Sequence, residues 1–392
     1  MKKILFIAAL LLNCFNQAQA QKDSCSLQVS LLTCAPGEEL YSTFGHTALR
    51  VKDPSNGSDL VFNYGSFEYG PDFYMQFVRG KLLYYVSVDD FNAFLYQYQL
   101  ESRSVQEQII QLGCVEKQRL LQALLENARP ENRYYRYDFL FDNCTTRAGD
   151  MVIGQAADSV VFENILPERP LSFRNLIHSY LDAGNQYWSK LGIDILLGMK
   201  LDRAVTNREA MFLPDYLLKG FDNATIGGKP LASPPQMILD QPSALQDTSW
   251  ITPGASFSLL LVLIVALSFL RTDMALRAMR VFDHVFFFVL GLAGLLLLFM
   301  WFATDHTVCS NNLNLLWAFP GHLIAAFFAY SQKKWIRNYF RFSFWMSLML
   351  AVTWFFLPQQ LNTALLPIVM VIALRSWFLS KKSSYGKKNT VL

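Results

Sequence analysis

The sequence predicts an α+β domain built on an antiparallel sheet, followed by an all-α membrane domain of five helices. Three observations carry this reading. They are an N-terminal export leader, a hairpin-like pattern of alternating β-branched and aromatic residues at 40–70, and apolar runs of bilayer length beginning near residue 255.

The leader, MKKILFIAALLLNCFNQAQA, opens on Lys2 and Lys3, continues apolar, and ends in Ala18-Gln19-Ala20, the small-x-small pattern of signal-peptidase cleavage. A lipobox at Leu11-Leu12-Asn13-Cys14 is the competing reading, but Asn13 is a poor residue before a lipidated cysteine. Residues 1–20 are therefore read as a cleaved signal peptide, 21–230 as the exported domain, and the Pro- and Ser-rich stretch 231–254 as a linker. With 34 Lys plus Arg against 31 Asp plus Glu, the net charge of +3 gives no electrostatic case for nucleic acid.

Apolar runs at 255–270, 284–304, 314–330, 342–358 and 361–379 each approach the roughly 20 residues that span a bilayer as helix. Their connectors set the orientation. Arg271, Arg277 and Arg280 follow the first run, and Lys333, Lys334, Arg337 and Arg341 follow the third. Arg375, Lys381, Lys382, Lys387 and Lys388 end and follow the fifth, whereas loops 305–313 and 359–360 have no Lys or Arg. By the positive-inside rule the basic connectors and the tail 381–392 are cytoplasmic, and the domain after the leader lies across the membrane.

Of six cysteines, Cys14 belongs to the leader, leaving Cys25, Cys34, Cys114, Cys144 and Cys309 on the oxidising side. An odd number there leaves at least one free thiol unless two chains are joined. Cys25 and Cys34 flank the strand-like SLQVSLLT, and a strand at about 3.3 Å per residue holds them too far apart to bridge. Geometry therefore points to pairing with Cys114 or Cys309, with the connectivity open.

Within LYSTFGHTALRVKDPSNGSDLVFNYGSFEYG, two strand-like runs surround a turn holding Pro54, Asn56 and Gly57. A turn centred near residues 55 and 56 puts Gly65 opposite His46, with Asn63 diagonally across on the same face. A slip of one residue presents Tyr64 instead. His46 is read either as a hydrogen-bonded strand residue or as a general base. Few alternatives for a base exist, because only His46 and His178 lie in the exported domain, with His306 in a loop on the same side.

The stretch RYYRYDFLFD is strand-like and aromatic, whereas CTTRAGDMVIGQAAD has helical apolar spacing, with Asp142 or Asn143 suited to cap the helix between them. Cys144 then occupies a helix's first turn, where unpaired amides and the helix dipole favour a thiolate and can hold an oxyanion. A buried or bridged cysteine is the structural alternative.

A histidine strand ahead of a cysteine at a helix start resembles the circularly permuted papain-like fold of the NlpC/P60 and lecithin:retinol acyltransferase type. More specifically, LLTCAPGEELYSTFGHTALRV, FNYGSFEY, YDFLFDNCTTR, REAMFLPDYL and DHTVCSNNLNLLWAFPGHL together resemble the Lnb-type family, whose members join an exported domain to transmembrane helices and are associated with lipoprotein N-acylation. The resemblance implies Cys144 as nucleophile and His46 as base, with Asn63 or Tyr64 orienting the imidazole or donating to the oxyanion. Arg147 and Asn143 are the candidate substrate-binding residues, Arg147 for a phosphate or ester oxygen; a salt bridge is its alternative.

That resemblance implies an acyltransferase of a bacterial inner membrane, with its N-terminal domain in the periplasm, a phospholipid as acyl donor and a lipoprotein as acceptor. A cell-wall cysteine amidase or peptidase, and a non-catalytic envelope assembly or sensor protein, are the rival readings. No cofactor or metal is expected, since there is no nucleotide-binding glycine loop and the Cys309/His306 pair is too sparse for zinc. The stretch FRNLIHSYLDAGNQYWSKLGIDILLGMKL has the spacing of an amphipathic helix pair, packed either on the domain's own core or on the membrane face.

Overall fold

The computed structural model describes residues 26–242 and 251–381. The signal peptide, Cys14, Cys25, linker residues 243–250 and the basic tail beyond 381 lie outside the described residues.

The first half of the exported domain runs β1 (Gln28–Cys34), β2 (His46–Asp53), β3 (Ser58–Ser66), α1 (Phe73–Arg79), β4 (Leu83–Asp90), α2 (Phe91–Leu100), β5 (Val105–Ile109), α3 (Cys114–Asn127), β6 (Tyr134–Arg136) and α4 (Cys144–Gln155). It continues with β7 (Val160–Phe162), α5 (Phe173–Ala183), α6 (Tyr187–Leu196), α7 (Asn207–Ala210), α8 (Pro214–Asp222), β8 (Ala224–Ile226), β9 (Lys229–Pro230) and β10 (Gln236–Leu239). Seven strands form one antiparallel sheet in the order β10-β5-β1-β2-β3-β4-β6.

Strand alternation distributes side chains to two cores. On one face Leu31, Leu49, Phe62 and Tyr64 pack with Leu120 and Leu124 of α3, Val152 of α4 and Leu217 of α8. On the other, Leu32, Ala48 and Val61 pack with Phe94 and Tyr98 of α2. The β2–β3 hairpin pairs Leu49 with Phe62 and Asp53 with Ser58, the register expected from the turn at 55 and 56. Residues 231–239, read from composition as linker, instead belong to the domain. Leu231 and Ala232 are buried in its core and β10 pairs with β5, because apolar burial and ladder hydrogen bonds outweigh the local Pro content.

The helix pair at 173–201 divides its allegiance. Helix α5 buries Phe173, Leu176, Ile177 and Leu181 with Leu201 and Phe212 inside the exported domain. Helix α6 sends Leu191 into the core of the membrane domain, beside Phe287, Trp317 and Leu361.

That second domain comprises α9 (Pro253–Phe269), α10 (Asp273–Phe302), α11 (Gly321–Phe328), α12 (Lys334–Thr353) and α13 (Leu366–Ser380). All five apolar runs thus become helical, but unequally. Among the described residues, Asp273–Phe302 and Thr363–Ser380 are long and apolar enough to cross a membrane by length and composition. The third run, 314–330, is not one continuous helix: a 3₁₀ turn at Leu313–Leu316 and Pro320 precede an α11 of eight residues. A proline lacks the N–H that would continue a helix through it. Helix α11 and the segment before it lie against α10 at two glycines; a Cβ on Gly291 would fall 2.2 Å from the Leu323 nitrogen of α11 and one on Gly294 2.1 Å from the Ala318 oxygen of that segment. Arg375, counted above among the basic flanking residues, is instead buried and forms a two-pronged pair with Asp283 of α10, both contacts 2.7 Å. A charge inside the helical bundle needs such a partner.

The two domains meet at the loops that carry no Lys or Arg. Asn314 donates to the Asp194 carbonyl (2.8 Å), Asn312 to that of Ile195 (2.8 Å), and Gln359 to that of Leu197 (3.1 Å). Asn362 reaches Asp194 Oδ2 at 2.9 Å, while Arg174 and His178 hold Oδ1 at 2.7 and 2.8 Å. This contact puts loops 305–313 and 357–362 on the same side as the exported domain, as the charge bias of the connectors requires.

Candidate active site

The site is assembled where α4 begins over the end of the β2–β3 ladder. Asn143 caps α4: its Oδ1 accepts from the Thr145 and Thr146 amides at 2.8 and 2.9 Å, while Thr146 Oγ1 accepts from the Asn143 amide at 2.8 Å. This reciprocal cap fixes Cys144 as the first residue of the helix. Asn143 Nδ2 also donates to the carbonyls of Phe139 (2.7 Å) and Phe212 (2.9 Å), and the side chain is buried. Its polar atoms are consumed by the fold, so Asn143 positions Cys144 rather than facing a substrate.

His46 opens β2, and its Nε2 is hydrogen-bonded to Asn63 Oδ1 of β3. As Oδ1 is an acceptor, Nε2 carries the proton, and Nδ1 is left for the Cys144 thiol, to which the imidazole is hydrogen-bonded. Burial disfavours the imidazolium, but the negative Cys144 and the hydrogen bonds the ring donates to Cys144 and Asn63 outweigh it, leaving the His46 pKa raised. Burial likewise opposes the thiolate; His46, by charge and hydrogen bond, together with the Thr47 backbone and Thr145, reverses this and brings Cys144 down to about 7. Cys144 and His46 are both half-buried, so the pair reaches the surface.

Two expected helpers are placed elsewhere. Tyr64 alternates with Asn63 onto the face that packs against α3 and α4; its hydroxyl donates to Asn127 at 2.7 Å and burial pushes its pKa up to about 12. Arg147 is held by Asp142 through two contacts of 2.5 and 2.8 Å and stacks over Tyr135 at 3.5 Å, which is the salt-bridge alternative rather than a free anion clamp. Both outcomes follow from strand and helix periodicity, which turns each side chain toward the core below the site.

Two threonines were not anticipated, and Gly65, set opposite His46 by the hairpin register, also borders the thiol. Thr145 Oγ1 lies 3.8 Å from Cys144 Sγ and 3.1 Å from Thr47 Oγ1, tying the helix to β2 beneath the thiol. Gly65 has φ +90° at an irregularity of the β3–β4 ladder; a Cβ there would meet Cys144 Cβ at 3.5 Å and Tyr137 Cε2 at 3.8 Å. A left-handed φ is one that glycine adopts without strain. The paired threonines of NCTT and the glycine after Asn63-Tyr64 were the available signals.

The other cysteines differ in kind. Cys34 and Cys309 are buried and form no disulfide among the described residues, contrary to the pairing expected for them. Cys34 points into the α2 core, where burial pushes its thiol up to about 12, and Cys309 is pushed up to about 11 by the same cause. Among the described residues, no group of three or more His, Cys, Asp or Glu is arranged to hold a metal ion.

Fold and site together define a two-domain membrane protein, with an α+β antiparallel domain carrying a cysteine–histidine–asparagine cluster beside a helical membrane domain. Residues 14–179 match the family model described as the Lnb N-terminal periplasmic domain, and residues 245–386 match that described as the Lnb transmembrane domain. The chain belongs to the Lnb family, with its N-terminal domain periplasmic and its C-terminal helices in the membrane. No curated protein and no solved structure matches it.

Proposed function

We propose that this protein is a lipoprotein N-acyltransferase of the bacterial inner membrane that works through an S-acyl cysteine. The observation that carries the reading is the Cys144–His46–Asn63 cluster, with a thiol near pKa 7, on a chain of the Lnb family.

In the first half-reaction the Cys144 thiolate attacks an ester carbonyl of a phospholipid. The carbon–oxygen bond breaks, the acyl group stays on sulfur, and the lyso-lipid leaves with the proton of the His46 imidazolium. In the second, neutral His46 accepts a proton from the α-amine of a diacylglyceryl-cysteine as that nitrogen attacks the thioester. The carbon–sulfur bond breaks, an amide forms, and the thiolate–imidazolium pair is restored. Because Asn143 engages the Thr145 and Thr146 amides, Cys144's own N–H is the first-turn donor for the tetrahedral oxyanion. Attachment to the membrane matches a reaction whose donor and acceptor are both confined to the bilayer.

The test is mass analysis of a lipoprotein N-terminus in cells carrying the wild-type protein or Cys144→Ala. Loss of one N-linked acyl chain with Cys144→Ala, and a trapped acyl group on wild-type Cys144, are expected. Labelled acyl chain bound covalently to the Cys144→Ala protein would overturn the assignment. Release of muropeptides by the wild-type protein without lipid turnover would replace it with wall hydrolysis.

A further inference from the structure

Helix α1 is the one helix of the exported domain with no buried residue among the described residues, and it is tied to the membrane domain. None of its seven residues is buried, and Tyr74, Met75 and Phe77 are 75, 55 and 51 % exposed. A soluble domain gains nothing by exposing such a face. Yet this helix is fixed in place through its backbone: the Asp305 amide donates to the Arg79 carbonyl at 2.9 Å, and His306 Nε2 to the Phe77 carbonyl at 3.0 Å. Arg136 of the neighbouring strand adds a 3.3 Å contact to Asp305. Asp305 and His306 follow α10 directly, whose last turn carries Trp301 and Phe302, stacked at 5.0 Å with Phe302 73 % exposed. Aromatic residues at the end of a spanning helix mark the membrane–water interface, so α1 is held at that level.

From α1 a continuous series of rings leads to the thiol. Phe77 stacks on Phe73 (6.2 Å between centroids), Phe73 on Phe67 (5.6 Å), Phe67 meets Tyr84 edge-on (5.4 Å), and Tyr84 stacks on Tyr137 (4.4 Å). Tyr137 borders Gly65, whose missing side chain leaves the approach to Cys144 open. The aromatic series therefore starts at the interface and ends at the reacting sulfur.

We propose that α1 lies in the periplasmic leaflet and that the Phe77–Phe73–Phe67–Tyr84–Tyr137 series is the track along which a phospholipid acyl chain reaches Cys144. The occupant is the hydrocarbon chain of a bilayer lipid: the rings offer an apolar surface, and the docking to loop 305–306 sets their depth. This deepens the acyltransferase reading and rests on it for what happens at the sulfur, whereas insertion of α1 stands on geometry alone.

The test uses the full chain in phosphatidylethanolamine–phosphatidylglycerol vesicles, with a photoreactive benzoylphenylalanine replacing Tyr74, Phe73 or Tyr84 in a Cys144→Ala background. A phospholipid adduct at all three positions is expected. None is expected at Asn56, which is exposed at the far end of the β2–β3 hairpin. Adducts at Asn56 equal to those at Tyr74, or none at Phe73 and Tyr84, would overturn the track. In parallel, Tyr74→Glu combined with Met75→Glu, both on a face that supports no core, should lower S-acylation of wild-type Cys144 at least tenfold, while Asn56→Glu leaves it unchanged. Lipid adducts without any acyl-cysteine in the wild type would keep the track and remove the acyltransferase reading. Acyl-cysteine formation without adducts would do the reverse.

Discussion

His46 Nε2 is hydrogen-bonded to Asn63 Oδ1 across the β2–β3 pair, which leaves the second ring nitrogen for Cys144. The contact also supports the imidazolium that lowers the thiol pKa to about 7. The thiolate is the active form, so acyl-enzyme formation should rise with pH through about 7. Asn63→Ala weakens the imidazolium, raises the thiol pKa, and should move this acid limb to higher pH while slowing the reaction roughly 10- to 100-fold. A pH profile of single-turnover acylation checks both effects; an unshifted limb would remove Asn63 from the site.

Thiol reactivity should separate the cysteines. At pH 7.5 iodoacetamide is expected to modify Cys144 rapidly in the folded protein and to leave Cys34 and Cys309, with thiols at about 12 and about 11, unmodified over the same period. Peptide mass mapping of the non-reduced protein reads this directly. A Cys144 blocked before reagent is added would support the non-catalytic alternative.

Asn143→Ala removes a helix cap and strands the buried carbonyls of Phe139 and Phe212. The cap alone is worth about 1 kcal/mol, and unsatisfied buried acceptors cost about 1–3 kcal/mol more. Asn143→Ser keeps a side-chain acceptor at the helix cap but not the two donations, so its loss should fall between wild type and alanine. Thermal unfolding of the full chain in detergent gives the order, and equal losses would mean that the cap contributes nothing.

Asp194→Ala leaves Arg174 with Asp202 and the Leu197 and Gly198 carbonyls, and strips its buried Nη1 of the carboxylate it donates to. Breaking a buried pair from one side costs about 3–5 kcal/mol. Since the Asp194 carboxylate also accepts from Asn362 of the membrane domain, the exported domain should loosen on that domain. Faster proteolysis between residues 240 and 253 in the variant, relative to wild type, is the expected readout.

Alternation, capping chemistry and charge bias are local properties, and with them the sequence by itself determined the α+β domain, the hairpin register that sets Asn63 near His46, the helix start at Cys144 and the orientation of the connectors. It did not distinguish which side chains at that helix start face outward. Asn143 and Arg147 are polar in sequence, yet each is saturated by partners that only folding brings near: the Phe212 carbonyl for one, the Tyr135 ring for the other. Arg375 looked like a cytoplasmic flank until α10 supplied Asp283, since a charge's location is set by its counter-charge as much as by its position along a run. Leu231 and β10 looked like linker because backbone pairing with β5 leaves no trace in composition. Tertiary structure alone decided that α1, seven residues between two strands, meets the loop after α10: the contact is made through backbone carbonyls, which every residue has.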